Sequence, residues 1–415
     1  SAWQFALMRS IKAKPFMVLE QQPLQVNWQP TNRRFSFDWL FLWGMQSAFQ
    51  GSVAMLYFSW QRMAGGCEQY HDGVVPHDVR IPQSQQEKLI IAKNFVFSDI
   101  SDRFKLDEIP LAQRDVLVVY DSESLWSHEI TSQSAHYTTR KQMDLITLFC
   151  TQNALGFWLA QSLEAEKTRL SEYKMIVFPG HAFEFSDSDI AMLADYRSKG
   201  GLVCTFPRTA YKKRNNQLCP TPAVFNTQDD FYLEDYGALL EGEIERCELH
   251  QSGVDAKIEG HLWAEKIKIT SNCWHPLARF SADSLYAGAP AILKFDDASG
   301  GAHIHFATVP SDADENWSEL RSILKVASCA FTDSREVQLF TLKSGDRMFL
   351  SAVNFSHQRA NIELSSTTQV INGAVYCLDG ELKGSALSID AGKEQRLSLS
   401  GRSALLTEIE NKHPA

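Results

Sequence analysis

A chain of 415 residues has room for two or three domains, and 44% hydrophobic with 22% charged residues is an ordinary globular composition. A net charge of -10 argues against nucleic acid or an anionic membrane surface as partner, because neither attracts an acidic protein. No apolar run reaches the roughly 18 residues that span a bilayer, no charged-then-apolar leader opens the chain, and eight scattered cysteines without a C-x-x-C pair read as reduced thiols, so a cytoplasmic location is expected.

In chain order, Ala2 to Ile11 is predicted as a helix and Lys14 to Glu20 as a buried parallel strand. Asp38 to Gln50 is a strongly apolar helix, Val53 to Trp60 a second continuous apolar strand, and Gln83 to about Phe97 a further helix. Helix and strand alternating in this way is parallel α/β architecture, and two strands are too few to close a barrel of eight. A second unit begins near Arg114. Asp115 to Tyr120, Tyr173 to Pro179 and Leu202 to Phe206 read as its strands, and about Thr139 to Glu166 as one helical region. Ser186 with Asp189 three residues on is a capping box for a helix reaching Lys199, stopped by Gly200-Gly201. This βαβαβ order indicates a flavodoxin-like doubly wound domain, continued by strands at Ala291 to Phe295 and His303 to Ala307 and a helix from about Glu315 to Ala330. The remainder, at Val337 to Thr341, Arg347 to Asn354, Ala360 to Leu364 and Ala374 to Leu378, shows short alternating runs that read as a small antiparallel β-sandwich.

Chemistry concentrates near the start. Glu20 closes the apolar run Phe16 to Leu19, and a carboxylate there is costly unless it faces a polar cavity, which the carboxyl-terminal mouth of a barrel provides. The loop that follows carries Asn27 and Trp28, whose indole suits the apolar face of a pyranose. On composition alone, a salt-bridged strand-end Glu is the commoner outcome. The second stretch, Tyr57 to His71, follows the second apolar strand and contains Trp60 and the pair Glu68 and His71, which together suit vicinal sugar hydroxyls. By itself a Glu-x-x-His pair is more often a surface pair.

The succession FMVLEQ, VNWQP, MLYFSW and GGCEQYH resembles the glycoside hydrolase family 42 β-galactosidases. That resemblance covers most of the chain and implies the C-terminal part of a (β/α)8 TIM barrel over 1–112, a flavodoxin/amidotransferase-like trimerisation domain over 113–333 and a small β-sandwich over 334–415. It implies Glu20 as the nucleophile of a retaining mechanism, with Trp28, Glu68 and His71 at the galactosyl group and Trp60 lining the pocket. It further implies a β-galactoside or galacto-oligosaccharide as substrate and a homotrimer. No metal is expected, because the metal-binding cysteines that some members of the family carry are absent here and the eight cysteines show no paired short spacing, and no cofactor is expected. Two departures stand out. The family's Trp-Arg-Gln reads Trp60-Gln61-Arg62, and Arg33-Arg34-Phe35 replaces the usual Pro-Gly; altered aglycone contacts or substrate choice are expected from them. The family's acid/base Glu, which follows an Asn, has no counterpart before Glu20, so the chain is expected to be the C-terminal portion of a longer enzyme and inactive alone. A non-catalytic carbohydrate-binding or oligomerisation module is the alternative.

Other candidates lead to bland readings. An amidotransferase would need a cysteine on a tight elbow. Cys204 instead sits inside an apolar strand, as a buried thiol would, and His181 has no cysteine in register. His303 and His305 share a strand face without a third ligand nearby and read as a packed or solvent-facing pair. The basic run Lys212-Lys213-Arg214 reads as a solvated turn.

Overall fold

The computed structural model describes residues 2–36, 38–78, 80, 109–219, 231–249, 256–312, 314–377 and 395–411. The helix predicted over 83–97 lies outside the described residues. The chain divides into two compact units, Ser1–Gln113 with Cys150–Gly156 and Ser328–Ala415, and Arg114–Phe149 with Phe157–Ala327.

The first unit opens with the helix Ala2–Lys12, which carries Arg9 and Lys12 in its last turn and is followed by Ala13 in the left-handed conformation. Basic residues there complement the helix dipole. Arg9 is fully buried and donates through Nη1 to the backbone oxygen of Gln50, 2.9 Å away, which ties this helix to the end of the helix Asp38–Phe49. The strands Phe16–Gln21 and Ser52–Tyr57 pair in parallel, with Phe16 opposite Ser52 and Gln21 opposite Tyr57. Both were expected to be buried, yet Met17 and Leu19 are 51% and 72% exposed. In the described residues each strand has only the other as a sheet neighbour, so the pair keeps open edges, and Met17 and Leu19 stand on the exposed side while Phe16 packs on Phe5. The second strand is also shorter than expected, ending at Tyr57, because the segment from Ser59 turns away to bond with Val74 and Val75.

Two antiparallel sheets complete this unit. One has five strands in the order Thr368–Cys377, Ser403–Asn411, Arg347–Asn354, Val337–Ser344, Leu111–Ala112; the other holds Ala330–Phe331, Ala360–Leu364 and Arg396–Leu399. Period-two alternation divides the larger sheet. Leu339, Leu350, Ala352 and Leu405 pack with Ile362, Leu364, Leu397 and Leu399 of the smaller sheet. Phe340, Leu342, Phe349, Val353 and Leu406 cluster with Phe41, Leu42, Met45 and Phe49 of the helix Asp38–Phe49. The larger sheet is thus buried on both faces, which explains why Arg347–Asn354 is nearly continuously buried rather than alternating in and out.

In the second unit, the strands Phe157–Ala160, Val116–Val119, Met175–Phe178, Leu202–Thr205 and Ala302–Phe306 lie side by side in parallel. Numbered by chain order the parallel strands run 2-1-3-4-5, the doubly wound order. Their interiors are sealed, with Val116, Leu117, Val118, Ile176 and Val203 all at zero exposure. Beyond Ala302–Phe306 the sheet continues antiparallel through Pro290–Asp296, Trp274–Phe280, Glu245–Leu249 and Lys257–Ile269, with Phe231–Ala238 and Thr308–Pro310 also paired to the last of these. The capping box on Asp187–Ser198 is formed by Ser186 and Asp189, with Ser186 Oγ accepting from the Asp189 amide at 3.1 Å.

The continuous helical region expected from Thr139 to Glu166 is corrected. The helix ends at Gln152, Phe157–Ala160 is a strand, and a short helix covers Leu163–Glu166. Ala154 in the left-handed region and Gly156 break the helix, and the apolar run Phe157 to Leu159 is buried in the sheet. The helix predicted to reach Ala330 ends at Leu324, and Ala330 belongs to a strand. Lys212 is corrected as well. It is buried, with its Nζ donating to Ser127 Oγ at 2.8 Å and Asn216 Oδ1 at 3.0 Å, because the chain after Tyr211 runs alongside Phe183 rather than into solvent.

Candidate active site

The geometry begins with the parallel register. Gln21 lies opposite Tyr57, and the Phe58 amide donates to the Gln21 oxygen at 3.1 Å, so the two loops leave the same carboxyl edge. Glu20 stands at that edge, exposed. The loop after the first strand is anchored by the buried side chains of Leu24 and Val26 and then presents Trp28, 64% exposed. From the other loop comes Trp60, 68% exposed, outside the strand in which it was expected.

The segment 65–71 folds through local turns, with the Gln69 amide donating to Gly66 O at 3.4 Å and the His71 amide to Glu68 O at 2.9 Å. Glu68 is partly exposed, whereas His71 is 7% exposed. The His71 ring meets Phe58 edge-on at 5.8 Å, and both its nitrogens are shielded without a hydrogen-bond partner. The two loops therefore present Glu20, Trp28, Trp60 and Glu68 toward solvent, while the imidazole of His71 is turned inward.

Sequence reasoning missed what ties these loops together. Asn27 Nδ2 donates to the Cys67 oxygen. The Gln25 amide donates to Asp72 Oδ2 at 2.9 Å, and the Asp72 amide returns a bond to the Gln25 oxygen at 2.9 Å. Asp72 also forms an ion pair with Arg62, the residue that departs from the family pattern. The second departure is accounted for locally. Phe35 packs edge-on against Trp39 and Trp43 at 5.4 and 5.2 Å, with Arg33 over its ring at 5.4 Å, so the segment is fastened to the helix Asp38–Phe49.

Among the described cysteines of the second unit, Cys204 and Cys247 are buried, Cys219 is half-buried and Cys273 is exposed. Cys204 is buried beside Met175, and burial pushes its thiol far up. His181 follows the strand Met175–Phe178 and packs on Phe185 at 4.9 Å, with Nδ1 3.7 Å from Asp121. Burial lowers it to about 4. His303 and His305 are both buried and converge on Thr205 Oγ1, at 2.9 and 3.0 Å, as a packed pair. Among the described residues no cluster of three or more His, Cys, Asp or Glu is set to hold a metal, and no helix is long and apolar enough to cross a membrane.

Comparison with known proteins decides the family. Residues 1–93 match the β-galactosidase model of glycoside hydrolase family 42, and residues 114–317 match its β-galactosidase trimerisation-domain model. The chain belongs to glycoside hydrolase family 42. It is 26% identical over 369 residues to the β-galactosidase LacZ of Heyndrickxia coagulans, covering 87% of this chain and 52% of that protein. It is 35% identical over 127 residues to the β-galactosidase BgaA of a Planococcus species, covering 30% of this chain and 18% of that protein. The crystal structure of a β-galactosidase from Bacillus circulans sp. alkalophilus superposes with a TM-score of 0.78 at 20% identity, covering 98% of this chain and 57% of that one. A cold-adapted β-galactosidase from Rahnella sp. R3 gives 0.77 at 16% identity, covering 99% and 57%. At those identities the structural likeness speaks for the fold. This family member spans about half the length of the Heyndrickxia coagulans and Bacillus circulans proteins.

Proposed function

We propose that the chain carries the nucleophile side of a retaining β-galactosidase, acting on β-galactosides or galacto-oligosaccharides. The observation that supports this best is the exposed Glu20 at the carboxyl edge of a parallel strand, inside the segment that matches the β-galactosidase family model. In this reading the Glu20 carboxylate attacks the anomeric carbon to form a glycosyl ester, which water then hydrolyses with net retention. Trp28 offers an indole face to the apolar side of the sugar, Trp60 lines the same pocket, and the Glu68 carboxylate accepts from sugar hydroxyls. His71 reaches a hydroxyl once its ring turns outward, since both nitrogens are shielded as it stands.

Departure of the aglycone oxygen needs a proton from a second carboxyl about 5 Å from the first. No Asn-Glu pair precedes Glu20, so in this reading the 415-residue chain by itself does not turn substrate over. Its parts are a barrel portion over 1–112, a trimerisation domain over 113–333 and a β-sandwich over 334–415, assembled as a homotrimer through the segment 114–317 that matches the trimerisation model.

The test is hydrolysis of a chromogenic aryl β-galactoside by this chain beside its Glu20→Gln variant. No turnover by either is expected. Turnover abolished by the substitution would keep the nucleophile and overturn the missing carboxyl. Turnover surviving it would overturn the nucleophile itself.

A further inference from the structure

We propose that Asp72 is a positioning residue whose carboxylate, held by Arg62 and the Gln25 amide, clamps the Trp28 loop against the loop that carries Glu68. The proposal rests on the sugar-site reading for its consequence but not for its geometry.

The first observation is burial. The Asp72 side chain is 5% exposed, and a carboxylate taken so far from water is stable only with partners. It has two, from different directions: the Arg62 guanidinium and the Gln25 amide at 2.9 Å. A charged acceptor makes the stronger kind of backbone hydrogen bond.

The second observation is how little room the junction leaves. The Arg62 amide donates to Val75 O at 3.0 Å and the Val75 amide to Trp60 O at 2.6 Å, which lays the two stretches backbone to backbone. Between them sits Gly73, where an added Cβ would come within 2.5 Å of the Arg62 nitrogen. Asp72 is therefore flanked on one side by backbone pairing too close to admit a side chain at position 73. On its other side it exchanges both backbone and side-chain bonds with Gln25, three residues before Trp28. Displacing Asp72 thus removes the tie next to Trp28 without touching Trp28's own contacts, while Asn27 on the Cys67 oxygen and the buried Leu24 and Val26 still hold the rest of the loop.

The third observation is that Arg62 is where this chain departs from the family's Trp-Arg-Gln order. The guanidinium, 37% exposed, is spent on Asp72 rather than held free for a ligand. In this chain the departure serves as a fastening.

Amide hydrogen exchange on the intact chain tests the clamp directly, with galactose binding followed by titration calorimetry as the second arm. Asp72→Ala is expected to speed exchange of the Gln25 amide by roughly tenfold or more, the scale of one lost bond to a charged acceptor. Arg62→Gln is expected to act in the same direction more weakly, and Arg62→Lys to restore near wild-type exchange. Galactose affinity is expected to fall in the same order and to be rescued by Arg62→Lys. Protection of the helix Asp38–Phe49 reports whether each variant is folded. Unchanged Gln25 exchange in a folded Asp72→Ala protein overturns the clamp. Faster exchange with unchanged galactose affinity overturns its positioning role. If the unaltered chain binds no galactose, the sugar-site reading and the positioning role fall together, while the exchange arm still decides the clamp.

Discussion

Glu265 and His305 face one another inside the second unit, with His305 Nε2 2.9 Å from Glu265 Oε2 and neither side chain exposed. The carboxylate also takes the Arg208 amide at 2.8 Å and the Tyr211 hydroxyl, and His305 passes the chain of bonds to Thr205 and from there to His303. This network joins the parallel strands Leu202–Thr205 and Ala302–Phe306 to the antiparallel strand Lys257–Ile269 that holds Glu265. Replacing Glu265 with Ala orphans three donors at once. A loss of about 3–5 kcal/mol is expected, the scale for removing one partner from a buried charged network. Urea unfolding followed through the tryptophans reads it; a loss below about 1 kcal/mol would mean the network is not what holds these strands.

Stability of the same unit should fall on acidification. Burial lowers His128 from 6.5 to about 3, with the nearby Arg208 and Lys212 adding to the effect. Its Nε2 donates to Gly180 O at 2.7 Å, a contact made by the neutral ring. Because the folded value is depressed, the unfolded chain binds the proton first. The full stability contribution is present above about pH 6.5 and is lost progressively as pH falls toward 3. His181, lowered to about 4, acts in the same sense. The urea midpoint is expected to drop between pH 7 and pH 5, and His128→Gln to drop less. Equal slopes for the two proteins would contradict this assignment.

The first unit depends on its β-sheets to cover the helix Asp38–Phe49. Phe41 has no exposed surface and clusters with Phe349 and Leu406. Phe41→Ala should cost about 3–5 kcal/mol through lost transfer energy and the cavity left behind. Thermal unfolding of the variant checks it. Cutting the chain after residue 333 should give an insoluble product, because it strips the strands that bury this helix; a soluble, folded 1–333 product would contradict the shared core.

What could be read from the sequence was local. Ser186 and Asp189 announce their helix because a capping box needs only residues three apart. Trp28 and Glu68 read as loop residues leaving one edge because two apolar runs of strand length precede them, with Glu20 closing the first run, whereas Trp60 reads as part of the second strand and lies beyond its end. The strand Phe157–Ala160 was hidden because Thr139 to Glu166 keeps a helical look until the backbone reverses at Ala154, which no side chain there announces. Lys212 looked like a solvated charge because its four acceptors lie in residues 127 to 131 and at Asn216, invisible until the chain folds. The bond between Gln25 and Asp72 spans 47 positions, and nothing in either stretch names the other. Long-range polar pairing is the part that pattern and propensity leave open.

The central claim is that Glu20 attacks the sugar, and the most direct measurement is covalent trapping. A 2-deoxy-2-fluoro-β-galactosyl fluoride carries a leaving group that departs without a proton, so it reports the nucleophile independently of any acid/base carboxyl. Incubation followed by peptide mapping should find the fluorosugar esterified to the peptide containing Glu20, and no such adduct in Glu20→Gln. An adduct on any other carboxylate, or one that persists in Glu20→Gln, would contradict the account.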